Sequence, residues 1–140
     1  MAPDDAGRIA RRFLQVWTPG NLDLLEQLAD PDIVVDYAHF GEPVRGVDAF
    51  RRTLEESFRD FPDLVTTAHT VVAAGDRAAV EWTYEGTHRD GELFGVEPVG
   101  TRVRVRGASF YRIRDGRVVE ERGVADILGL MVQLGALGGG

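Results

Sequence analysis

The stretch TRVRVRGASFYRIRDGRVVEERGVA, residues 101–125, carries the clearest strand pattern of this chain. Its first part alternates strictly between arginine and valine, a period of two that predicts a β-strand with one solvated and one covered face. Asp115-Gly116 is a favourable two-residue hairpin turn, because both of its positions tolerate the positive φ that such turns require. The stretch therefore predicts two antiparallel strands joined by a tight turn.

Upstream of this hairpin the chain divides into strands preceded by helices. LVTTAHTVVAAG (64–75) and RAAVEWTYEGT (77–87) read as two more strands, followed by a long glycine-rich loop at 86–100. Apolar residues at helical spacing predict helices around 9–17, over 22–28 with Asn21 as the cap, and over 47–61, while IVVDYA (33–38) reads as a strand. We therefore expect one α+β domain over 1–140, with three helices packed on one face of a mainly antiparallel sheet and a mobile tail at 136–140.

The amino-acid composition limits the partners and the catalytic groups that this chain can have. The net charge of −7 argues against a nucleic-acid partner, and no run is apolar enough to span a membrane. The N-terminus has no secretory pattern, so we expect a cytoplasmic protein. There is no cysteine, all 16 basic residues are arginine, and neither of the two serines lies in a nucleophile elbow. An enzyme built from this chain must use carboxylates, histidines, tyrosines, backbone dipoles or shape.

Asp126 stands where the last predicted strand meets the apolar run ILGLMVQLG (127–135). Aspartate is a preferred N-cap, so Asp126 can simply begin a terminal helix. It can equally be an acid/base group at the mouth of an apolar pocket, where desolvation raises the pKa of a carboxyl. The two interpretations are compatible, and the residues alone leave both open.

Several segments resemble, in order, those of the SnoaL-like polyketide cyclases within the NTF2-like superfamily. They are ADPDIVVDYAHF, EPVRGVDAFR, PDL, GTH at 86–88 and RIRDGRVVEERGVADILGLMVQLG. The resemblance implies a cone in which a curved sheet wraps three helices around a deep apolar cavity. The oligomers that it implies, expected to be homodimers or higher homo-oligomers, associate through the outer sheet face. It also implies a role in secondary metabolism, the aldol-type closure of a carbocyclic ring in an apolar polyketide-like substrate without a cofactor, with Asp126 as the acid/base.

The sequence contains further candidate site residues besides Asp126. Asp36 resembles the general base of the related ketosteroid isomerases, and His39 and His88 lie on loops expected to rim the cavity. We assign catalytic roles to Asp126, Asp36 and His88, and substrate contacts to Tyr37, His39, Phe40, Trp82, Ser109 and Tyr111. Three histidines without paired spacing predict no metal site.

Alternatives to aldol chemistry stay open. One is a pericyclic [4+2] cyclase that acts mainly by folding its substrate, and another is an isomerase or epoxide hydrolase. The isomerase lacks its expected oxyanion pair, which would fall near Phe13 and Ser109. The epoxide hydrolase lacks its cation around Glu81-Trp82-Thr83. A non-catalytic ligand-binding module is the alternative from a different class.

Overall fold

The computed structural model describes residues 5–137, so most of the predicted mobile tail, residues 138–140, lies outside it. Four α-helices and six strands follow one another in the order α1 Asp5–Leu14, α2 Leu24–Leu28, β1 Ala29–Tyr37, β2 Val44–Arg45, α3 Val47–Asp60, β3 Val65–Ala74, β4 Arg77–Thr87, β5 Arg102–Arg114, β6 Arg117–Ala125 and α4 Ile127–Leu134. A short 3-10 helix, Gln15–Trp17, extends α1. Within the described part of the chain, no helix has the length and apolarity needed to cross a membrane.

All six strands form one sheet in the order β2-β1-β6-β5-β4-β3. The pairs from β3 to β6 are antiparallel, as the sequence predicts. β1 instead pairs with β6 in parallel, so the sheet is mixed. This parallel pair joins the first half of the chain to the last strand and adds β1 and β2 to the antiparallel strands.

The alternation of arginine and valine at the start of β5 has the expected effect on which side chains are buried. Val103 and Val105 of β5 are buried, while Arg102, Arg104 and Arg106 are exposed. The turn at Asp115 and Gly116 has φ values of 53° and 76°, as a type I′ hairpin requires. The β5–β6 hairpin therefore forms as predicted.

The helices supply the other half of the core. α1 packs against β3 and β4, and α3 packs against β1. The rings of Phe13 from α1 and Phe50 from α3 stack with centroids 6.2 Å apart, and Tyr111 of β5 meets Phe13 edge-on at 6.1 Å. Both phenylalanines are completely buried, which stabilises the contact between helices and sheet by roughly 2–3 kcal/mol per side chain.

The start of the first strand differs from the sequence prediction. Asn21 is not the helix cap: its side chain donates to the Gln15 carbonyl oxygen at 3.2 Å, and α2 begins at Leu24. β1 begins at Ala29 and includes Pro31. The register with β6 shifts between Ala29 and Val34, so this irregular, exposed segment tolerates a residue that cannot donate a backbone hydrogen bond.

Two glycines in the sheet allow aromatic rings to lie directly on the backbone. A Cβ atom on Gly123 of β6 would overlap the ring of Tyr37, and one on Gly107 of β5 would overlap the ring of Trp82. Both rings thereby occupy space on the inner face of the sheet that side chains of β5 and β6 would otherwise fill.

We expect Gly123→Ala to destabilise the protein by about 1–3 kcal/mol, because the new methyl group must displace the buried Tyr37 ring. Urea unfolding measures the change. Gly41→Ala is the matched control, since nothing lies within 4 Å of its Cβ position, and its effect should stay within about 0.5 kcal/mol. Equal losses in the two variants would contradict the close packing of Tyr37.

Candidate functional site

An apolar cavity of about 140 Å³ lies between the helices and the inner face of the sheet. Its volume is close to that of an engineered cavity of about 150 Å³ that binds benzene, so it accommodates about one ring. Aromatic and aliphatic side chains dominate the wall, which consists of Leu14, Trp17, Tyr37, His39, Phe40, Thr53, Ser57, Thr66, Trp82, Tyr84, Val105, Ala125, Ile127 and Leu130.

A buried carboxyl group, that of Glu121 on β6, lies behind this wall. Glu121 has no exposed surface. Its Oε2 atom accepts hydrogen bonds from the Tyr37 hydroxyl and, at 3.1 Å, from Trp17 Nε1, whereas Oε1 has no partner among the described residues. Burial raises the pKa of Glu121 to about 7, and the two hydrogen bonds oppose this rise. The group can therefore exchange a proton near neutral pH.

The hydrogen bonds continue from Tyr37 into the sheet. The Tyr37 hydroxyl lies 2.7 Å from Ser109 Oγ, and Trp82 Nε1 donates to the same Ser109 oxygen at 2.8 Å. Because an indole N–H can only donate, the Ser109 proton is free to point at Tyr37, whose own proton points at Glu121. Trp82, Ser109, Tyr37 and Glu121 thus form one directed chain of donors.

Tyr111 completes the buried group. Its hydroxyl is enclosed and lies beside the side chain of Ser109. Burial raises the pKa of Tyr111 well above its ordinary value, and the nearby charge of Glu121 raises it further. The Tyr37 pKa is raised for the same two reasons, in the same order. Both phenols therefore keep their protons at neutral pH, and the carboxyl of Glu121 is the member of this group that titrates there.

The structure brings together all six residues to which the sequence assigns substrate contacts. Tyr37, His39, Phe40 and Trp82 line the cavity. Ser109 is hydrogen-bonded directly behind Tyr37 and Trp82, and Tyr111 faces Glu121. The ring of His39 lies 5.0 Å from that of Phe40 and 6.0 Å from that of Tyr37, and partial burial lowers its pKa.

Asp126 is placed as a helix cap. It is exposed, and its Oδ1 accepts a hydrogen bond from the Gly129 amide at 2.8 Å, which begins α4. Its neighbours Ala125 and Ile127 line the cavity, but Asp126 does not. The capping interpretation is confirmed, while the acid/base role stays a prediction.

Asp36 lies on the other side of the sheet from the cavity. Ile33, Val35 and Tyr37 point inward and are buried, whereas Asp36 is half-buried, on the opposite face of β1 and next to Arg122 of β6. The alternation of β1 separates Asp36 from the cavity, so the geometry gives no support to its role as a base.

His88 joins the two ends of the loop between β4 and β5 through hydrogen bonds. It is completely buried, its Nε2 lies 2.6 Å from the Gly91 carbonyl oxygen, and its backbone bonds to Thr101 and Gly100 at the far end of the loop. The preceding Thr87 donates through its amide and its hydroxyl, both at 2.7 Å, to the carboxylate of Asp63. The GTH motif thus anchors the chain after α3, and its histidine is not in the cavity wall.

Glu121, the main residue that sequence reasoning missed, had a detectable signal. In VVEERGVA the residues Val119, Glu121 and Gly123 share one face of the strand and are buried, while Arg122 and Val124 are exposed. Applying the period of two to this segment as to TRVRVRG would have placed one carboxyl on the covered face. No cluster of three or more acidic or histidine side chains suited to a metal ion occurs in the described part of the chain.

Comparison with known proteins agrees with this architecture. No curated protein matches the sequence. AclR from Streptomyces galilaeus, a proposed hydroxylase, is 28% identical with a TM-score of 0.82, over 99% of this chain and 89% of AclR. IdmH from Streptomyces antibioticus, a proposed polyketide cyclase, is also 28% identical with a TM-score of 0.80, over 93% of this chain and 98% of IdmH.

A third structure shares the fold alone. It is a protein of ketosteroid isomerase-like fold from Catenulispora acidiphila, 17% identical with a TM-score of 0.75, over 91% of this chain and 92% of that one. The prediction of an α+β NTF2-like cone is therefore confirmed. The family model for SnoaL-like polyketide cyclases matches residues 7–134, and the chain belongs to that family.

Proposed function

We propose that the protein closes a carbocyclic ring in a polyketide-like substrate held in the cavity. The observation that carries this proposal is the Tyr37 phenol, which belongs to an apolar wall and is hydrogen-bonded to a buried, titrating carboxyl group. An apolar cavity with a few converging polar groups is typical of small-molecule sites. Membership of the SnoaL-like family and the similarity to IdmH support the cyclase assignment.

The chemistry requires one proton to leave carbon and one to reach oxygen. In an aldol-type closure, a carbon next to one carbonyl loses a proton and attacks a second carbonyl carbon, whose oxygen gains a proton. The mass of the substrate does not change. A donor at the carbonyl oxygen stabilises the negative charge that develops there, which is the task for which Tyr37 is suited.

Two carboxyl groups compete for the acid/base role. The resemblance assigns it to Asp126, which is exposed and bonded to a backbone amide. Glu121 is buried, has a pKa near the working pH and is bonded to a residue of the cavity wall. Because a general acid or base works best when its pKa lies near the ambient pH, we assign both proton transfers to the Glu121–Tyr37 pair. With Glu121 ionised, the Tyr37 oxygen accepts the proton from carbon while the Tyr37 proton passes to Glu121. Tyr37 then gives a proton to the carbonyl oxygen and recovers one from Glu121, which restores the starting state.

The size of the cavity limits how much of a substrate it can hold in a fixed conformation. A space for about one ring cannot enclose a whole extended polyketide, so we propose that it holds the segment that becomes the new ring. Fixing that segment in a reactive conformation removes rotational freedom that would otherwise slow ring closure. This ordering would also serve a pericyclic closure, in which no proton donor is needed.

The outer face of the sheet is the surface on which we propose that two copies associate. Val72 of β3, Phe110 of β5 and Val124 of β6 are 61%, 46% and 52% exposed. Phe110 is paired with Ala79 of β4, and Val72 is paired with the same residue from the other side. Exposed apolar side chains on adjacent strands favour association with another apolar surface.

We expect Tyr37→Phe to slow ring closure by about 100- to 10,000-fold, because it removes the donor to the carbonyl oxygen. The assay follows a linear polyketide ester, with an active methylene and a distant ketone, to a cyclic product of the same mass by chromatography and mass spectrometry. Exposed Arg52 provides the control variant Arg52→Gln, which should retain full activity.

Asp126→Asn in the same assay separates the two carboxyl groups, since asparagine caps a helix as well as aspartate does. A change below about threefold, with a large loss in Tyr37→Phe, supports the Glu121–Tyr37 pair. A loss of about 100-fold in Asp126→Asn would assign acid/base chemistry to Asp126 instead. A loss below tenfold in Tyr37→Phe would favour the pericyclic mechanism.

The raised pKa of Glu121 predicts how the stability of the protein depends on pH. Its pKa rises from an ordinary value of 4.5 to about 7, so between these values the folded protein holds a proton that the unfolded chain lacks. Raising the pH across this window therefore removes stability. We expect Glu121→Gln to be more stable relative to the native protein at pH 8 than at pH 4.5, by up to about 3 kcal/mol. Urea unfolding at both pH values measures this, and a pH-independent difference would contradict the assignment.

For the outer sheet face, we expect Phe110→Glu to shift the protein from dimer to monomer in sedimentation equilibrium, because a charge replaces exposed apolar surface on β5. Val99→Glu is the matched control, since Val99 is exposed on the loop before β5. A native protein that sediments as a monomer would refute the proposed interface.

A further inference from the structure

Two residues of the cavity wall contact Glu121, and only one of them can move a proton. Trp17 and Tyr37 both line the cavity and both donate to Oε2. The indole N–H of Trp17 does not exchange its proton in such chemistry, whereas a phenol both donates and accepts. Any change in the protonation of Glu121 therefore reaches the cavity through the Tyr37 hydroxyl.

When Glu121 is ionised, every donor in this series of hydrogen bonds already has an acceptor. Trp82 donates to Ser109, Ser109 can donate to Tyr37, and Tyr37 donates to Glu121. Tyr37 then offers the cavity no proton. A ligand oxygen placed beside it would meet only lone pairs.

When Glu121 is protonated, the proton has a preferred position. Oε1 has no partner among the described residues, so a proton there would be unsatisfied. On Oε2 it can be donated to the Tyr37 oxygen, which has lone pairs for both Glu121 and Ser109. The Tyr37 proton then turns away from Glu121 and becomes available to a ligand.

Among residues 5–137, no charged side chain pairs with Glu121 and so holds its carboxyl group ionised. From β1 it is faced by the Tyr37 phenol, from β5 by the Tyr111 phenol, and from the 3-10 helix by the neutral indole of Trp17. On α1, Asp5 pairs with Arg8, and the arginines Arg8, Arg11 and Arg12 are exposed. Glu26 of α2 is exposed, and Arg122 and Glu120 of β6 pair with each other. His39 is the other titratable group beside Tyr37.

We propose that the Tyr37 end of the cavity is a binding site for a neutral carbonyl oxygen, and that Tyr37 donates to this oxygen only when Glu121 is protonated. The site follows from the geometry of the donor chain. It deepens the proposed cyclase, and it rests on that function only for its catalytic use, because carbonyl binding can be measured without turnover. An apolar ketone is the ligand class, since aromatic and aliphatic side chains dominate the rest of the wall.

Acetophenone, a one-ring ketone without a titratable group, is the probe. We expect its carbonyl stretch, measured by infrared difference spectroscopy on the protein–probe complex, to lie at lower frequency at pH 5.5 than at pH 8.5. We expect binding to weaken by about three- to tenfold at the higher pH, as the loss of one hydrogen bond implies. Identical spectra and affinities at the two pH values would overturn the proposal.

Two variants identify the groups responsible. Glu121→Gln imitates the protonated acid, because its amide can donate to Tyr37, and should keep the low frequency at both pH values. Tyr37→Phe should show the higher frequency at both. A pH-dependent shift that persists in Glu121→Gln would assign the effect to His39 and overturn the proposal. A pH-switched shift together with absent ring closure would refute the cyclase and leave the carbonyl site standing.

Discussion

The structure depends on the parallel pairing of β1 with β6, which joins the two halves of the chain, and the hydrogen bond from Tyr37 to Glu121 lies across this pair. This pairing adds β1 and β2 to the antiparallel strands β3 to β6. α3, which packs against β1, is thereby held on the same sheet as α1, which packs against β3 and β4. The polar chain of Trp82, Ser109, Tyr37 and Glu121 runs across β4, β5, β1 and β6, so it forms only when all four strands are in register.

A buried carboxyl without a cationic partner is costly, and this one is kept by a small number of hydrogen bonds. The neighbours of Glu121 allow its carboxyl group to be either charged or neutral. The indole of Trp17 and the phenol of Tyr37 stabilise the carboxylate, while the lack of an arginine in contact prevents that form from being fixed. Arginine is abundant in the chain, and none of its 16 side chains is buried. Excluding it from the interior keeps the proton of Glu121 exchangeable near neutral pH.

Local sequence signals predicted most of the fold. The alternation in TRVRVRG and the Asp115-Gly116 turn specify β5 and its hairpin through contacts between neighbouring residues. The parallel β1–β6 pair joins residues more than 80 positions apart, as Asp36 with Arg122, and no local pattern encodes such a pairing. The start of β1 was misjudged for a related reason, because Pro31 is tolerated only where that pairing is interrupted.

The candidate site was predicted unevenly. Tyr37, Trp82 and Ser109 were identified as substrate contacts and prove to be adjacent in space. Asp126 was predicted to be catalytic because it precedes an apolar segment, and His88 because its loop was expected to rim the cavity. The contacts that these two residues make instead cap a helix and join the ends of a loop. Glu121 was overlooked because it sits beside Glu120 and Arg122, in a run that reads as solvated when the alternation is not applied.

The two tryptophans of the chain, Trp17 and Trp82, both line the cavity, and each donates its indole N–H to the buried polar chain. The tryptophan fluorescence of this protein therefore originates at the site. Emission from these indoles will respond to a molecule that enters the cavity and to the charge of the carboxyl beside Trp17. The two indoles can therefore report the binding of candidate ligands by a change in fluorescence.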